Sequence, residues 1–204
     1  MEKTATAQVF GHFVDELPDS QEYLAISFSP TSVPLQQRWR NSELSADFIS
    51  EYLITFFPRS EDDVIRSRDQ KFEMKSAVSY VANELLENAM KFNDENSPLP
   101  ISIQLRLYDE RLIFLLKNSI KPEAIAPFQT RIEEMLSGNP DEIYVAQLER
   151  NAADDSRTGS GLGLLIMMID YLAKVGWKFE PSPVHPEVVT VTTMVQLPLT
   201  TDLA

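Results

Sequence analysis

Two short stretches of the chain carry residue types that together could handle a phosphate-bearing ligand. The first runs Asn83-Glu84-Leu85-Leu86-Glu87-Asn88-Ala89-Met90-Lys91. On a helix each residue turns by about 100°. Glu84, Asn88 and Lys91, at i, i+4 and i+7, then share a narrow sector along the edge of an apolar stripe. An amide oxygen is a hard ligand suited to Mg²⁺, a carboxylate can act as a general base, and an ammonium can meet a phosphate. The same spacing also suits a solvated helix edge with a Glu–Lys pair. The second stretch is Gly159-Ser160-Gly161-Leu162-Gly163, leading into an apolar helix. Backbone amides left open by glycines, at the positive end of a helix, form an anion site. Three of the six glycines fall within these five residues. A plain structural turn is the alternative. The spacing is neither a dinucleotide-binding fingerprint nor a Walker A loop.

Elements to position these pieces can be read from the chain. Tyr23 to Phe28 alternates loosely and ends at Ser29-Pro30, as a strand would. Leu35 to Phe57 has helical spacing, with a break expected at Asn41-Ser42, and Pro58 to Asp69 reads as a charged loop. From Phe72 to Phe92 the apolar residues Met74, Val78, Val81, Leu85, Ala89 and Phe92 step by three and four, which predicts a helix. Ile101–Leu107 and Arg111–Leu116 follow as two strands. Asn118 to Thr158 is long and rich in proline and charge, with short helices expected at Phe128–Leu136 and Asp141–Leu148. An insert of that length suggests a lid. The helix Leu164–Lys174 is apolar almost all round and should be buried, with Gly176 as its C-terminal cap. Trp177–Phe179 and Val188–Leu197 read as closing strands. This order predicts an α/β fold with helices on one face of a mixed, mostly antiparallel sheet. Residues 1–20 are read as an extension. Residues 21–200 are read as one domain with a lid insertion at about 119–158.

Composition narrows the function. The 204 residues carry 18 basic and 31 acidic side chains, a formal net charge of −13. A general nucleic-acid binder needs a basic surface, and so does a binder of anionic membranes, so neither partner is expected. Without cysteine there is no disulfide, iron–sulfur cluster or thiolate zinc site. His12 and His185 are far apart, which disfavours a histidine metal site or triad. Met1 to Gln8 lacks a signal-type apolar core, and a cytoplasmic address is expected.

Glu-x-x-x-Asn-Ala-x-Lys on one helix, followed by Gly-x-Gly-Leu-Gly opening another, resembles the GHKL ATPase superfamily of gyrase, histidine kinases and MutL. The first piece is similar to its N box and the second to its glycine-rich G2 box. Within that superfamily the leading strand and helix resemble the anti-sigma-factor serine kinases, and the long insert resembles the SiaB-type regulators. The resemblance implies a two-layer α/β sandwich of Bergerat type that binds ATP and Mg²⁺. It implies a Ser/Thr kinase acting on a STAS-domain partner protein. By the same resemblance Glu84 would be the catalytic base and Asn88 the Mg²⁺ ligand. Lys91 would touch a phosphate, and Gly159, Gly161, Leu162 and Gly163 would hold the phosphates. Thr192 or Thr193 would lie near the adenine.

The chain departs from the family pattern at one place. Where these proteins carry Asp-x-Gly-x-Gly, it reads Lys117-Asn118-Ser119-Ile120. Asn118 can still accept a hydrogen bond from adenine, more weakly than a carboxylate would. The alternative to the kinase is therefore a regulatory binding module of the same fold that sequesters a signalling partner. A homodimer built on the first 60 residues and their aromatic-rich helix is a further reading; separately, Arg38, Trp39 and Arg40 could form a partner-binding patch, although a tryptophan more often belongs to the core.

Overall fold

The structure is a computed structural model describing residues 7–20, 22–29, 35–56, 64–153 and 161–199, with side chains left out for 35–42 and 64–70. The strands are β1 (Gln8–Gly11), β2 (Glu22–Phe28), β3 (Ile101–Leu107), β4 (Arg111–Ser119), β5 (Lys174–Pro181) and β6 (Val189–Pro198). The helices are α1 (Leu35–Ile54), α2 (Val64–Phe92), α3 (Pro122–Ser137), α4 (Pro140–Ala153) and α5 (Gly163–Asp170). The strands form one sheet in the order β1-β5-β6-β4-β3-β2. Among the described residues every pairing is antiparallel, so the sheet expected to be mostly antiparallel is wholly so. The two-layer α/β sandwich is present.

Alternation along the strands sorts the two faces. Phe114, Leu116, Val191, Val195, Trp177 and Phe179 join the buried core with the helices. Against them α2 presents Val78, Val81, Ala82, Leu85, Leu86 and Ala89, all nearly inaccessible. Turning α2 about its axis would expose these residues at about 1.5–3 kcal/mol for each large side chain. The direction in which the α2 polar edge faces is therefore set by the core.

Several local expectations change. α2 begins at Val64, so the part of the expected loop from 64 to 69 is helical. Phe92, read as the last apolar position of the stripe, is exposed, and Asn93 beyond it is buried instead. α1 runs unbroken through Asn41-Ser42. The last helix stops at Asp170, and Lys174 already begins β5. The chain reverses at Leu172, whose φ is +51°. Leu165 and Met167 of α5 are fully buried, whereas Leu164, Ile166 and Met168 are half-buried. Gly176 is not a helix cap; it lies in β5.

The segment read as an extension belongs to the sheet. β1 pairs with β5 at one edge, and β2 forms the opposite edge. Strands are spaced by about 4.8 Å, so the link from β1 to β2 must cross roughly 24 Å. About ten residues reach at most roughly 33–36 Å when fully extended, so the link can cross but has little slack. This strap is pinned as it crosses the outer face. His12 donates its N–H to the Val175 carbonyl (2.9 Å). The Gln196 amide donates to the His12 carbonyl (2.7 Å). Lys178 meets Asp15 (2.6 Å), and the Tyr108 hydroxyl donates to the Pro18 carbonyl (3.0 Å). Gly176 lets the strap pass, because a Cβ there would stand 2.2 Å from the Phe13 nitrogen and 2.7 Å from the His12 carbonyl carbon.

Both obstacles at Gly176 are backbone atoms, so relief requires the strap to lift. We expect Gly176→Ala to destabilise the fold by about 1–3 kcal/mol. In a domain of this size that is a fall of roughly 2–12 °C in thermal midpoint, measured by circular dichroism.

Candidate functional site

The α2 edge and the glycine turn, far apart in the chain, meet in the fold. Gly163 begins α5 and is buried. A Cβ at that position would stand 1.9 Å from Glu84 Oε2 and 2.7 Å from its Cδ. The Glu84 carboxylate therefore fills the space that any other residue at 163 would need. Gly161, two residues earlier, has a φ of +65°, a conformation that favours glycine. Leu162, between them, is half-buried, and its carbonyl accepts the Ile166 N–H (2.9 Å) as the first bond of the helix. Its side chain makes no cap. Gly159 lies outside the described residues, and the side chains of Arg38, Trp39 and Arg40 do too.

Glu84 is half-buried, and its carboxyl is held above the usual carboxylate range, first by burial and then by repulsion from Glu87. Tyr80, one turn earlier, stacks near Tyr171 with ring centroids 5.5 Å apart. Burial raises its phenol, and the charge of Glu84 adds to the shift. Asn88, one turn after Glu84, is half-buried. Among the described residues its side-chain amide has no hydrogen-bond partner within the protein. Lys91 is exposed at the rim, with Nζ 5.2 Å from the Phe92 ring centroid.

Asn118 ends up on the helix-facing side of β4, 5% exposed. Its Nδ2 donates to the Ser119 carbonyl (2.8 Å), leaving Oδ1 to accept. The neighbouring Ser119 is locked to α2. Its N–H (3.1 Å) and its hydroxyl (2.9 Å) both donate to Asn93 Oδ1. The end of α2 and the end of β4 are thus clamped together where the family pattern has glycines.

Thr192 does not join this group. It pairs across β6 with Lys117 and Lys178, on the outer face. There it lines a recess of about 410 Å³ under the strap, with Arg106, Leu115 and Lys178. Thr193 is the residue on the helix side, opposite Leu116 and Trp177 and 7% exposed. A one-residue step in a strand reverses the face, and the sequence motif alone did not fix that register.

Sequence reasoning also missed residues that border the site. Tyr80 was legible, since Tyr80, Glu84 and Asn88 step by four. Gln147 carried no signal, being one polar residue in a polar insert. It is buried, and its Nε2 lies 3.7 Å from where a Gly161 Cβ would stand. Among the described residues, no group of three or more His, Cys, Asp or Glu side chains could hold a metal. A magnesium ion here would take one protein oxygen, from Asn88, and complete its shell with phosphate and water. The unpartnered Asn88 amide fits that role. Among the described residues, no helix is long and apolar enough to cross a membrane.

With the geometry in place, the chain can be compared with known proteins. No protein-family model and no curated protein matches it. The fold is shared with a solved structure. It is the crystal structure of the SiaB–SiaC complex from Pseudomonas aeruginosa, with a TM-score of 0.54 and 11% sequence identity. The match covers 85% of this chain and 89% of that one. At this identity the likeness is one of fold, and it agrees with the SiaB-like architecture that the sequence pattern suggested.

A raised carboxyl pKa fixes a sign. A group that prefers its proton in the folded state contributes stability below its unfolded pKa, and that contribution is lost as pH rises through the folded value. We expect Glu84→Gln to raise the thermal midpoint at pH 7–8 and to flatten its fall between the ordinary carboxylate range and neutrality. Midpoints of both proteins across pH 4–8 check this. A Gly163→Ala variant should push the carboxylate outward and return its titration, followed by NMR of the Glu84 side-chain carboxyl carbon, toward the ordinary range.

Proposed function

We propose that this protein is a regulatory, Mg·ATP-dependent Ser/Thr protein kinase acting on a STAS-like partner protein. The observation that carries the reading is the contact of Glu84 with Gly163, which joins the polar α2 edge to the glycine turn. The nucleotide would supply the transferable phosphoryl group, and Mg²⁺ would offset the charge on its oxygens. Asn88 would hold the metal. The amides around Gly161, Leu162 and Gly163 would take phosphate oxygens, with Lys91 at the rim; Gly159, of the same sequence motif, lies outside the described residues. Asn118 Oδ1 would accept from the adenine amino group. Thr193, rather than Thr192, is on the face for an adenine contact.

Glu84 is suited to general-base work, because burial raises its proton affinity toward the working pH. It would accept the proton of an incoming serine or threonine hydroxyl. The SiaB–SiaC structure, a complex of two proteins, supports a protein partner. A second reading, a binding module that does not transfer phosphate, is favoured by the Asn93–Ser119 clamp. That clamp stiffens the β4 exit where a mobile hinge would be expected.

Thermal-shift titration with ATP and Mg²⁺ tests nucleotide binding. At a hundredfold excess over Kd, the native state gains about 2.7 kcal/mol, or roughly 5–11 °C. We expect the Mg²⁺-dependent part to vanish in Asn88→Ala. With labelled ATP and STAS partners that bind the chain, wild type should transfer phosphate and Glu84→Gln should not. Binding of nucleotide and partner without transfer would favour the binding module. No shift with any nucleotide at millimolar concentration would refute both the kinase and the nucleotide site.

A further inference from the structure

The proposed kinase site does not use the polar chain that runs behind the glycine turn. Arg131 of α3 donates through Nη2 to Gln147 Oε1 of α4 at 2.6 Å. Gln147 donates through Nε2 to Asn151 Oδ1 at 2.8 Å. Arg131 is also paired with Glu134 at 3.2 Å. Gln147 is 6% exposed and is the side chain that borders Gly161, where an added Cβ would meet its Nε2 and Cδ at 3.7 and 3.8 Å. Both sides of this amide are thus committed to partners within the insert, and it borders the one described glycine of the turn with a left-handed backbone.

A buried glutamine needs its hydrogen bonds, and one accepted from a guanidinium is among the strong ones. That bond fixes the Gln147 rotamer. The fixed amide in turn borders Gly161 and limits where its backbone can move, and from Gly161 the chain enters α5 within two residues. We propose that Arg131 and Gln147 are a positioning pair for the Gly161 turn, through which the α3–α4 insert sets the geometry of the first α5 amides. This rests on the phosphate-binding role assigned to that turn under Proposed function. It makes the insert a regulatory element: whatever shifts α3 against α4 breaks the Arg131–Gln147 bond and loosens the turn.

Two measurements on the full chain separate this inference from the reading beneath it. Without nucleotide, hydrogen exchange of the 161–165 amides is compared in wild type, Arg131→Ala, Arg131→Lys and Gln147→Leu. We expect faster exchange in Arg131→Ala and Gln147→Leu, although Arg131 makes no hydrogen bond or ion pair with those residues, and near-wild-type exchange in Arg131→Lys. Calorimetry with Mg·ATP should then show affinity weakened about tenfold in each of the two disruptive variants, the loss expected for one charge-assisted hydrogen bond. The double variant should be no worse than either alone, because both act through one contact. Unchanged exchange at 161–165 in Arg131→Ala overturns the positioning pair whether or not nucleotide binds. Additive losses overturn it too. If Gln147→Leu does not fold, the Arg131 variants decide. A wild-type chain that binds no Mg·ATP overturns the nucleotide reading, and the exchange comparison still decides what positions the turn.

Discussion

The seat of the Glu84 carboxylate against the start of α5 depends on the absence of a side chain at residue 163. Interiors are packed to crystal density, so a carboxylate and a methyl group cannot share one volume. With glycine there, the Glu84 carboxylate sits against the start of α5. With any other residue the carboxylate must swing away, because each helix is anchored by core side chains. Leu85 and Leu86 hold α2, and Leu165 and Met167 hold α5. The contact is therefore a constraint that the core enforces on both polar pieces at once. It also accounts for the raised proton affinity of Glu84, since the helices that meet there exclude water from the carboxylate.

The remaining elements keep this meeting point in register. The Asn93–Ser119 clamp joins the C-terminal end of α2 to the exit of β4. Asn118, next to that clamp, is placed on the helix side by strand alternation. On the far side of the sheet, the face that the strap crosses, Ile113 and Met194 are fully buried. Lys178 holds Asp15 and Glu180, and Lys117 adds a second bond to Glu180. The Lys178 ammonium is raised and the Glu180 carboxyl lowered, as expected for a network that favours its charged forms. Exposed pairs of this kind contribute little individually. Their role is to fix where the strap crosses.

Much of this was readable in the chain because it depends on local period. The α2 stripe, the β3–β4 hairpin and the turn before α5 each carry their own signal within a dozen residues. What was not readable depends on distant partners. Nothing near Gln8–Gly11 indicates that it pairs with β5. Gly176 looked like a helix cap because the backbone it must admit, that of Phe13, comes from the opposite end of the chain. Val64–Asp69 read as a loop because its charges face no local apolar run. Thr192 and Thr193 differ only in sheet face, which the pairing with β4 and β5 decides. Within the candidate site, Glu84, Asn88 and the glycines were visible from spacing, whereas Gln147 became visible only through its place beside Gly161.

The most direct measurement is an amide NMR map of the chain titrated with a non-hydrolysable Mg·ATP analogue. We expect the shifted resonances to cluster at 84–91, around Asn118 and at 161–165, three segments brought to one side of the sheet by the core. Shifts confined to the outer recess around Arg106 and Thr192, or no shifts at saturating ligand, would contradict the assignment of a nucleotide site to the Glu84–Gly163 junction.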